Sequence, residues 1–190
     1  MDAAEPATDP VAVPPIRLKV LALEHRPERV TPETVLPRSP DTDATRLGQA
    51  VHRVLEWAVG SPADALGGLA EAAAREFGAP PGKVAQLARN ILLGNDCARF
   101  FEGPQLRWAG NEVPVSEGGE LLRIDRLVQL VAADEATWWV LDYKLQHAPE
   151  QLDAYRAQLL RYREAVRRAQ PGEAVRCAFI TGAGVVVEID

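Results

Sequence analysis

The sequence predicts an α/β domain in which a mixed central β-sheet is flanked by helices. Helical periodicity dominates the chain from about residue 45 to residue 101, whereas runs rich in β-branched and aromatic residues dominate after Gly103. The predicted order is a group of helices, three strands, a long helix and two strands. That order is typical of a domain built around a mixed sheet.

Several helical segments are predicted before Gly103. Apolar residues in "DATRLGQAVHRVLEWAVG" recur at the i, i+3, i+4, i+7 spacing of one helix face, and Gly60 is expected to end this helix. The next segment, "SPADALGGLAEAAAREFG", opens with a serine that can cap a helix and a proline that suits its first turn. "PPGKVAQLARNILLG" and "NDCARFF" extend the helical region to about Phe101.

The strands are predicted from short β-rich runs that are separated by turns. "NEVPVS", "ELLRIDRLVQLV" and "TWWVLDYK" are the first three, with "EGG" and "AADEA" as turns. The helix "PEQLDAYRAQLLRYREAVRRAQ" follows and ends at "PG". Its predicted apolar stripe consists of Leu152, Tyr155, Leu159, Tyr162 and Val166. Two last strands, "AVRCAFIT" and "VVVEI", are joined by "GAG".

The chain divides by composition into residues 1–44 and residues 45–190. Eight of the fifteen prolines lie in the first part, which predicts an extended linker or a surface arm. The run "IRLKVLAL" within it is a candidate short strand. Residues 45–190 are long enough to form one domain with a substantial core.

Charge and cysteine content exclude several classes of protein. The formal net charge of -6 argues against a domain that holds nucleic acid by bulk electrostatics alone. Cys97 and Cys177 form no CxxC pair, so zinc sites and iron–sulfur clusters held by four cysteines are excluded within this chain. No apolar run is long enough for a membrane span, and a membrane partner is not expected. The simplest localisation is a reducing cytoplasm.

Opposite charges emerge from the apolar strand "WWVLDYK". Asp142 and Lys144 are two residues apart on this strand, so both side chains are expected on one face. The preceding strand contributes Asp125. If the hairpin turn is centred between residues 134 and 135, Asp125 lies opposite Lys144 and Leu127 lies opposite Asp142. Asp125, Asp142 and Lys144 would then meet on one patch of the sheet.

Two carboxylates and a lysine on a rigid sheet suit a hard divalent cation with an activated water beside it. Mg²⁺ binds through one or two carboxylates and retains several waters. The lysine adds positive charge and a group that can handle a proton. The alternative is an ordinary ion pair at the solvated edge of the sheet, and an isolated D-x-K favours that alternative.

Four motifs in order resemble the PD-(D/E)XK nuclease domain of the RecB and AddA helicase–nucleases. "LGQAVHRVLEWA" resembles the H-x-x-L-E helix of this branch, and "LLRIDRLV" resembles its I-D-[LR]-[VL] strand. "WWVLDYK" matches the D-Y-K strand, and "YRAQLLRYREAV" matches the following Q-x-x-x-Y helix. The match runs from about residue 46 to the end and includes "NEVPV". It implies a restriction-endonuclease-like fold with a helical N-terminal part.

The resemblance assigns a role to each residue of the motifs. Asp125 and Asp142 would bind Mg²⁺ or Mn²⁺, with the backbone carbonyl of Tyr143 as a further ligand. His52 from the first helix would complete the metal site. Lys144 would orient or deprotonate the attacking water and stabilise the transition state.

Further residues are expected around the site. Gln158 and Tyr162 would border it and would touch DNA or support the catalytic residues, and Glu112 would be an additional carboxylate. Glu56, one turn after His52, is expected to be structural. Arg161 belongs to a run with a local excess of +3 over residues 151–168, the one basic patch offered to a phosphate backbone: Arg156, Arg161, Arg163, Arg167 and Arg168, against Asp153 and Glu164.

Plainer interpretations exist for the same residues. His52 adjoins an apolar stripe, where a lone histidine is usually a packed core residue. Tyr162 belongs to the apolar stripe of its own helix, and Gln158 can be a surface residue. The arginine run can be a solvated face. Leu145 also departs from the family, which commonly has Thr or Ser after the lysine.

The function expected from the resemblance is metal-dependent hydrolysis of DNA phosphodiesters. The chain would be the C-terminal nuclease module of a helicase–nuclease in double-strand-break repair and recombination, or a small stand-alone exonuclease. Its partners would be a single-stranded or duplex DNA end and a helicase motor in cis or in trans. No P-loop occurs, so no nucleotide cofactor is expected. The alternatives are a catalytically inactive scaffold or DNA-binding module in a repair complex, and an unrelated α/β domain with a chance D-x-K.

Overall fold

The computed structural model describes residues 42–61, 63–133 and 135–190. The predicted strand at residues 16–23 and nearly all of the predicted arm lie outside these ranges, so the domain boundary after residue 44 stays a prediction. No helix within the described ranges is long and apolar enough to cross a membrane.

Four α-helices and five β-strands form the described part of the chain. The helices are α1 (Asp43–Ala58), α2 (Leu66–Phe77), α3 (Pro81–Leu93) and α4 (Asp153–Ala169). The strands are β1 (Leu106–Glu117), β2 (Glu120–Ala132), β3 (Glu135–Lys144), β4 (Ala174–Thr181) and β5 (Val186–Ile189). The predicted order of elements is confirmed, although β1 begins earlier than the run "NEVPVS" suggests.

The first helix forms where the apolar periodicity places it. Thr42 caps it, because its hydroxyl accepts a hydrogen bond of 3.1 Å from the N–H of Thr45. Val51, Val54 and Leu55 lie on its buried face, as the spacing predicts. The same face positions His52 beside the sheet.

Two local predictions in the helical region are wrong. Ser61 does not cap α2; its hydroxyl donates to the carbonyl of Trp57 at the end of α1, and a short 3-10 helix leads into α2. The segment "NDCARFF" contains only the 3-10 helix Ala98–Phe100. The N–H groups of Cys97 and Ala98 both bond to the carbonyl of Gly94, which forms a tight turn instead of an α-helix.

The sheet is mixed, as predicted, with strand order β1-β2-β3-β4-β5. β3 and β4 pair in parallel and the other neighbours are antiparallel. α4 connects the two parallel strands, which require a crossover of this kind. In this strand order β3 is the central strand.

Helices cover both faces of the sheet. α1, α2 and α3 pack against the face that contains Trp139, Leu141 and Tyr143 of β3. α4 packs against the opposite face, through Leu159, Tyr162 and Val166. Leu152 of the predicted stripe instead precedes α4 and is 46% exposed. Because β3 is covered on both faces, a charged side chain near its end is buried.

The register of the β2–β3 hairpin differs from the predicted one by two residues. Ala132 pairs with Glu135 and Leu127 pairs with Val140, so Asp125 falls level with Asp142 instead of Lys144. The turn is two residues long and centred one residue earlier than expected, with Ala133 at a φ of 48°. A shift of two preserves the face of every side chain. Asp142 and Lys144 therefore still share one face, whereas Asp125, at the end of the ladder, contacts His52 of α1 and the N–H of Tyr143.

Candidate active site

The site forms where the β2–β3 ladder ends. The last ladder pair in this direction is Arg126 with Leu141. Beyond it, the N–H of Tyr143 donates a 2.9 Å hydrogen bond to Oδ2 of Asp125. The carboxylate thus takes the place of a backbone acceptor and is fixed between the two strands.

α1 contributes His52 to the same place. Its Nε2 lies 3.2 Å from the carbonyl oxygen of Tyr143, and its Nδ1 lies 3.7 Å from Oδ2 of Asp125. The imidazole also contacts the Tyr143 ring edge-on, with 5.3 Å between ring centroids. Its side chain remains 30% exposed, so this histidine is not simply a sealed core residue.

Asp142 and Lys144 form a close pair beside these residues. Nζ of Lys144 lies 2.6 Å from Oδ2 of Asp142, whose side chain is only 3% exposed. The ammonium also lies 4.8 Å from the centroid of the Tyr155 ring on the α4 side. The pair belongs to the buried central strand, so it is not an ion pair at a solvated sheet edge.

The pair is electrostatically unusual. Burial, followed by the negative charge of Asp125, raises the pKa of Asp142 to about 6, against the opposing effects of Lys144 and His52. Burial alone would lower the pKa of Lys144, but Asp142 and Asp125 together raise it above its ordinary value. At neutral pH the lysine is therefore an ammonium, and an added cation would relieve the repulsion between the two carboxylates.

Glu112 on β1 joins the site from the other side. Flanking pairs place it level with Asp125 across the β1–β2 ladder. Its φ of 51° lies in the left-handed region, which a residue with a side chain adopts at a cost. Oε2 of Glu112 accepts a 2.9 Å contact from Nε of Arg123.

The donor atoms fit a divalent metal ion. One donor atom each from His52, Glu112 and Asp125 lie within 4.8 Å of one another. One nitrogen and two carboxylate oxygens are a donor set that Mg²⁺ or Mn²⁺ can use. The sequence analysis expected Glu112 only as an additional carboxylate near the site. Asp142 does not belong to this group of three, and its carboxylate contacts Lys144 instead. Its role as a ligand, like that of the Tyr143 carbonyl, stays a prediction.

α4 borders the site with the predicted Gln158–Tyr162 pair. Nε2 of Gln158 donates a 2.7 Å hydrogen bond to the Tyr162 hydroxyl. Burial, with smaller contributions from Asp142 and Asp125, raises the pKa of Tyr162. Tyr162 therefore packs in the core, with its hydroxyl held by Gln158.

The predicted basic patch on α4 is partly neutralised. Arg161 forms an ion pair with Glu120, and Arg168 forms ion pairs with Glu117 and Glu164. Glu117 and Glu120 end β1 and begin β2, so their proximity to α4 does not follow from the sequence of α4 alone. Contact of Arg161 with DNA stays a prediction.

Arg126 is a site-supporting residue that sequence reasoning missed. It is completely buried on β2, and its Nε donates a 2.9 Å hydrogen bond to the carbonyl of Phe100. Its Nη1 donates to Oδ1 of Asn111 at 2.6 Å, and the Asn111 amide donates to the carbonyl of Glu56 on α1. This chain of contacts ties β2 and β1 to the helix that presents His52. The alternation in "LLRIDRLV" indicates only that Arg126 and Asp125 face opposite sides.

A cavity of about 410 Å³ opens beside the donor group. It lies between the α1–α2 region and the β1–β2 hairpin, and it combines the site residues His52 and Glu112 with two arginines. The lining residues are Gly48, Gln49, His52, Arg53, Glu56, Phe77, Glu112 and Arg123. Glu56 thus lines the cavity besides pairing with Arg53 at 2.8 Å.

Comparison with known proteins identifies the family of the chain. The family model of the PD-(D/E)XK nuclease superfamily matches residues 23–187. The crystal structure of SSO0001 is 18% identical over 77% of this chain, with a TM-score of 0.28, and the chain covers 64% of that structure. No curated protein matches. Because the family model spans most of the sequence, the chain belongs to the PD-(D/E)XK nuclease superfamily.

Proposed function

We propose that the chain is a metal-dependent nuclease that hydrolyses DNA phosphodiester bonds at the site formed by α1, β1, β2 and β3. The convergence of His52, Asp125 and the Tyr143 backbone next to the Asp142–Lys144 pair carries this proposal. Membership of a nuclease superfamily supports the class of reaction. Donor atoms from four separate elements, α1, β1, β2 and β3, lie close together. A D-x-K sequence that arose by chance would not be expected to have such partners.

Mg²⁺ or Mn²⁺ would be held by His52, Asp125, Asp142 and the Tyr143 carbonyl, with Glu112 as a further donor. When bound, such an ion neutralises charge on the phosphate and lowers the pKa of a coordinated water. The oxygen and nitrogen donors of these residues suit this chemistry.

Lys144 acts as a positive charge in this mechanism. Because the nearby carboxylates keep its ammonium protonated, it is suited to orient a water by donating a hydrogen bond to the water oxygen and to stabilise the anionic transition state. The water oxygen forms a bond to phosphorus while the bond from phosphorus to the leaving sugar oxygen breaks. The water proton passes to solvent, and the leaving oxygen takes up a proton. Gln158 and Tyr162 support the site from α4.

The biological setting we propose is the C-terminal nuclease module of a RecB/AddA-like helicase–nuclease in the cytoplasm, acting in double-strand-break repair. The acidic net charge of -6 and the neutralised arginines of α4 favour a domain that receives DNA from a motor in cis or in trans. A stand-alone exonuclease would instead be expected to bind DNA tightly by itself.

Degradation of end-labelled single-stranded DNA tests the proposal. We expect cleavage by the purified chain with Mn²⁺ or Mg²⁺, none with EDTA, and a loss of at least about 100-fold in Lys144→Ala. Lys83→Ala, which removes an exposed lysine of α3, is the matched control and should cleave normally. The product ladder would give the polarity.

Absence of cleavage would have two distinguishable causes. If Mn²⁺ still raises the melting temperature of the wild-type protein, the module binds metal and needs its motor, and adding the helicase partner should restore cleavage. If Mn²⁺ has no effect, the chain is an inactive scaffold. Leu145, which replaces the hydroxyl residue common in the family, is the feature that favours the scaffold.

A further inference from the structure

The cavity beside the metal-donor residues His52, Glu112 and Asp125 is lined by equal numbers of positive and negative side chains, and a bound cation would change this balance. Its lining includes two arginines, Arg53 and Arg123, and two glutamates, Glu56 and Glu112, so these four charges cancel. Arg53 contacts both Glu56 and Glu76, at 2.8 and 3.3 Å, and is held by two carboxylates. Arg123 contacts Glu112 at 2.9 Å. Of the two arginines, Arg123 depends on a group that also faces the metal site.

The Glu112 carboxylate lies where two kinds of positive partner can reach it, Arg123 and a metal ion at the donor group. It is the partner of Arg123, and it is also one of the three donors that lie within 4.8 Å of one another. The side chain of Arg123 is 70% exposed, and that of Glu112 is 34% exposed. Solvent-exposed ion pairs of this kind contribute little to stability, so their exchange for another partner costs little.

We propose that Arg123 is a phosphate-binding residue that Glu112 holds in the metal-free protein and that cation binding releases. The inference rests on the proposed nuclease function and adds a DNA contact and a coupling between metal and DNA. A divalent cation draws the charge of Glu112 toward itself, because a bound ion is the largest local charge in such a site. The freed guanidinium then projects into the cavity beside the site.

The chemistry of Arg123 suits a DNA backbone phosphate. A guanidinium presents a planar set of donors that matches two phosphate oxygens, and such charge-assisted hydrogen bonds are stronger than those between neutral groups. While Glu112 is paired with Arg123, it occupies the guanidinium and its carboxylate repels an approaching phosphate. DNA binding at this position therefore requires the cation, which makes the two binding events cooperative.

Binding of single-stranded DNA to the Lys144→Ala protein, with Mn²⁺ and with EDTA, tests this coupling. In Mn²⁺ we expect Arg123→Ala to weaken binding at least about fivefold and to lower the slope of log affinity against log salt by about one. In EDTA the same substitution should have little effect. Arg123→Lys should retain part of the affinity. The matched control is Arg107→Ala, an exposed arginine of β1 that does not line the cavity.

The metal side of the coupling gives a second measurement without DNA cleavage. Arg123→Ala should bind Mn²⁺ at least as tightly as the parent protein, because the competitor for Glu112 is gone. DNA should tighten Mn²⁺ binding to the parent by the same factor by which Mn²⁺ tightens DNA binding, and this factor should shrink in Arg123→Ala.

Three outcomes would overturn the inference. Equal losses in Mn²⁺ and EDTA would show an arginine that binds phosphate without release by the cation. Equal behaviour of Arg123→Ala and Arg107→Ala, with wild-type cleavage intact, would remove Arg123 from the DNA site and leave the nuclease proposal standing. A wild-type chain that neither binds Mn²⁺ nor cleaves DNA would remove both.

Discussion

His52 and Tyr143 are joined through the backbone, with Nε2 of the imidazole 3.2 Å from the tyrosine carbonyl oxygen. The N–H of the same tyrosine donates to the carboxylate of Asp125. Tyr143 of β3 therefore sets the positions of a donor from α1 and a donor from β2. The flanking residues Asp142 and Lys144 point to the opposite face, where α4 covers them.

His52→Ala should weaken cation binding at least about tenfold, because it removes a donor and the contact that orients it. The metal-free protein should lose only about 1 kcal/mol, the usual contribution of one hydrogen bond. The measurement is the rise in melting temperature with increasing Mn²⁺. His147→Ala, which removes an exposed histidine after β3, is the control. An unchanged Mn²⁺ response in His52→Ala would exclude the histidine from the metal site.

Asp142 contributes one component to the way in which the stability of the metal-free protein depends on pH. Burial, then the charge of Asp125, raises its pKa from 3.8 to about 6. Between these values the folded protein holds a proton that the unfolded chain has released, so the free energy of unfolding falls as pH rises. This stabilisation is fully present below pH 3.8 and is lost as pH rises through about 6.

We expect Asp142→Asn to remove this component from denaturant unfolding measured across that window. Asp96→Asn, at an exposed aspartate, should leave the pH dependence of the wild type intact. Mn²⁺ competes with the same proton if Asp142 is a ligand, so the Mn²⁺-induced stabilisation should also grow as pH rises toward 6 and above. Parallel pH profiles for wild type and Asp142→Asn would contradict the assignment.

Arg126→Ala should lower the free energy of unfolding by roughly 2–4 kcal/mol, since it opens a cavity and leaves one buried and one partly buried acceptor without a donor. Those acceptors are the carbonyl of Phe100 and the side chain of Asn111. Urea unfolding provides the measurement. Arg107→Ala removes an exposed arginine and should change stability by less than about 0.5 kcal/mol. Equal effects of the two substitutions would show that the buried guanidinium of Arg126 does not stabilise the fold.

Glu120→Gln tests whether the arginines of α4 are available to DNA. The substitution removes the ion-pair partner of Arg161, which is about half exposed. If Arg161 binds phosphate, single-stranded DNA should bind a few-fold more tightly, with a stronger dependence on salt. Glu135→Gln makes the same charge change at the start of β3 and serves as the control. Identical DNA affinities for the two variants would remove Arg161 from the interface.

Local patterns predicted the elements that position the site. The helical spacing of Val51, Val54 and Leu55 placed α1, and the continuous apolar run before Asp142 placed a strand buried on both faces. The face shared by Asp142 and Lys144 follows from the two-residue period of a strand. These features depend only on residues close together in the sequence, so local spacing is enough to predict them.

Features that depend on contacts between distant parts of the chain could not be predicted from the sequence. The register of β2 against β3 depends on a turn in which Ala133 adopts a positive φ. Alanine rarely adopts this conformation, so its presence in the sequence does not indicate the turn. The position of Glu112 in the donor group depends on its own unusual backbone and on the pairing of β1 with β2. The sequence of β2 suggests that Arg126 is a surface residue, but it is fully buried and bonds to Phe100 and Asn111, which are distant in sequence.

Anomalous diffraction from crystals grown with Mn²⁺ tests the central claim most directly. We expect an anomalous peak bounded by His52, Asp125 and Glu112, next to the Asp142–Lys144 pair, and its loss in crystals of Asp125→Asn. A peak elsewhere that survives Asp125→Asn, or none at a Mn²⁺ concentration that stabilises the protein in solution, would contradict it.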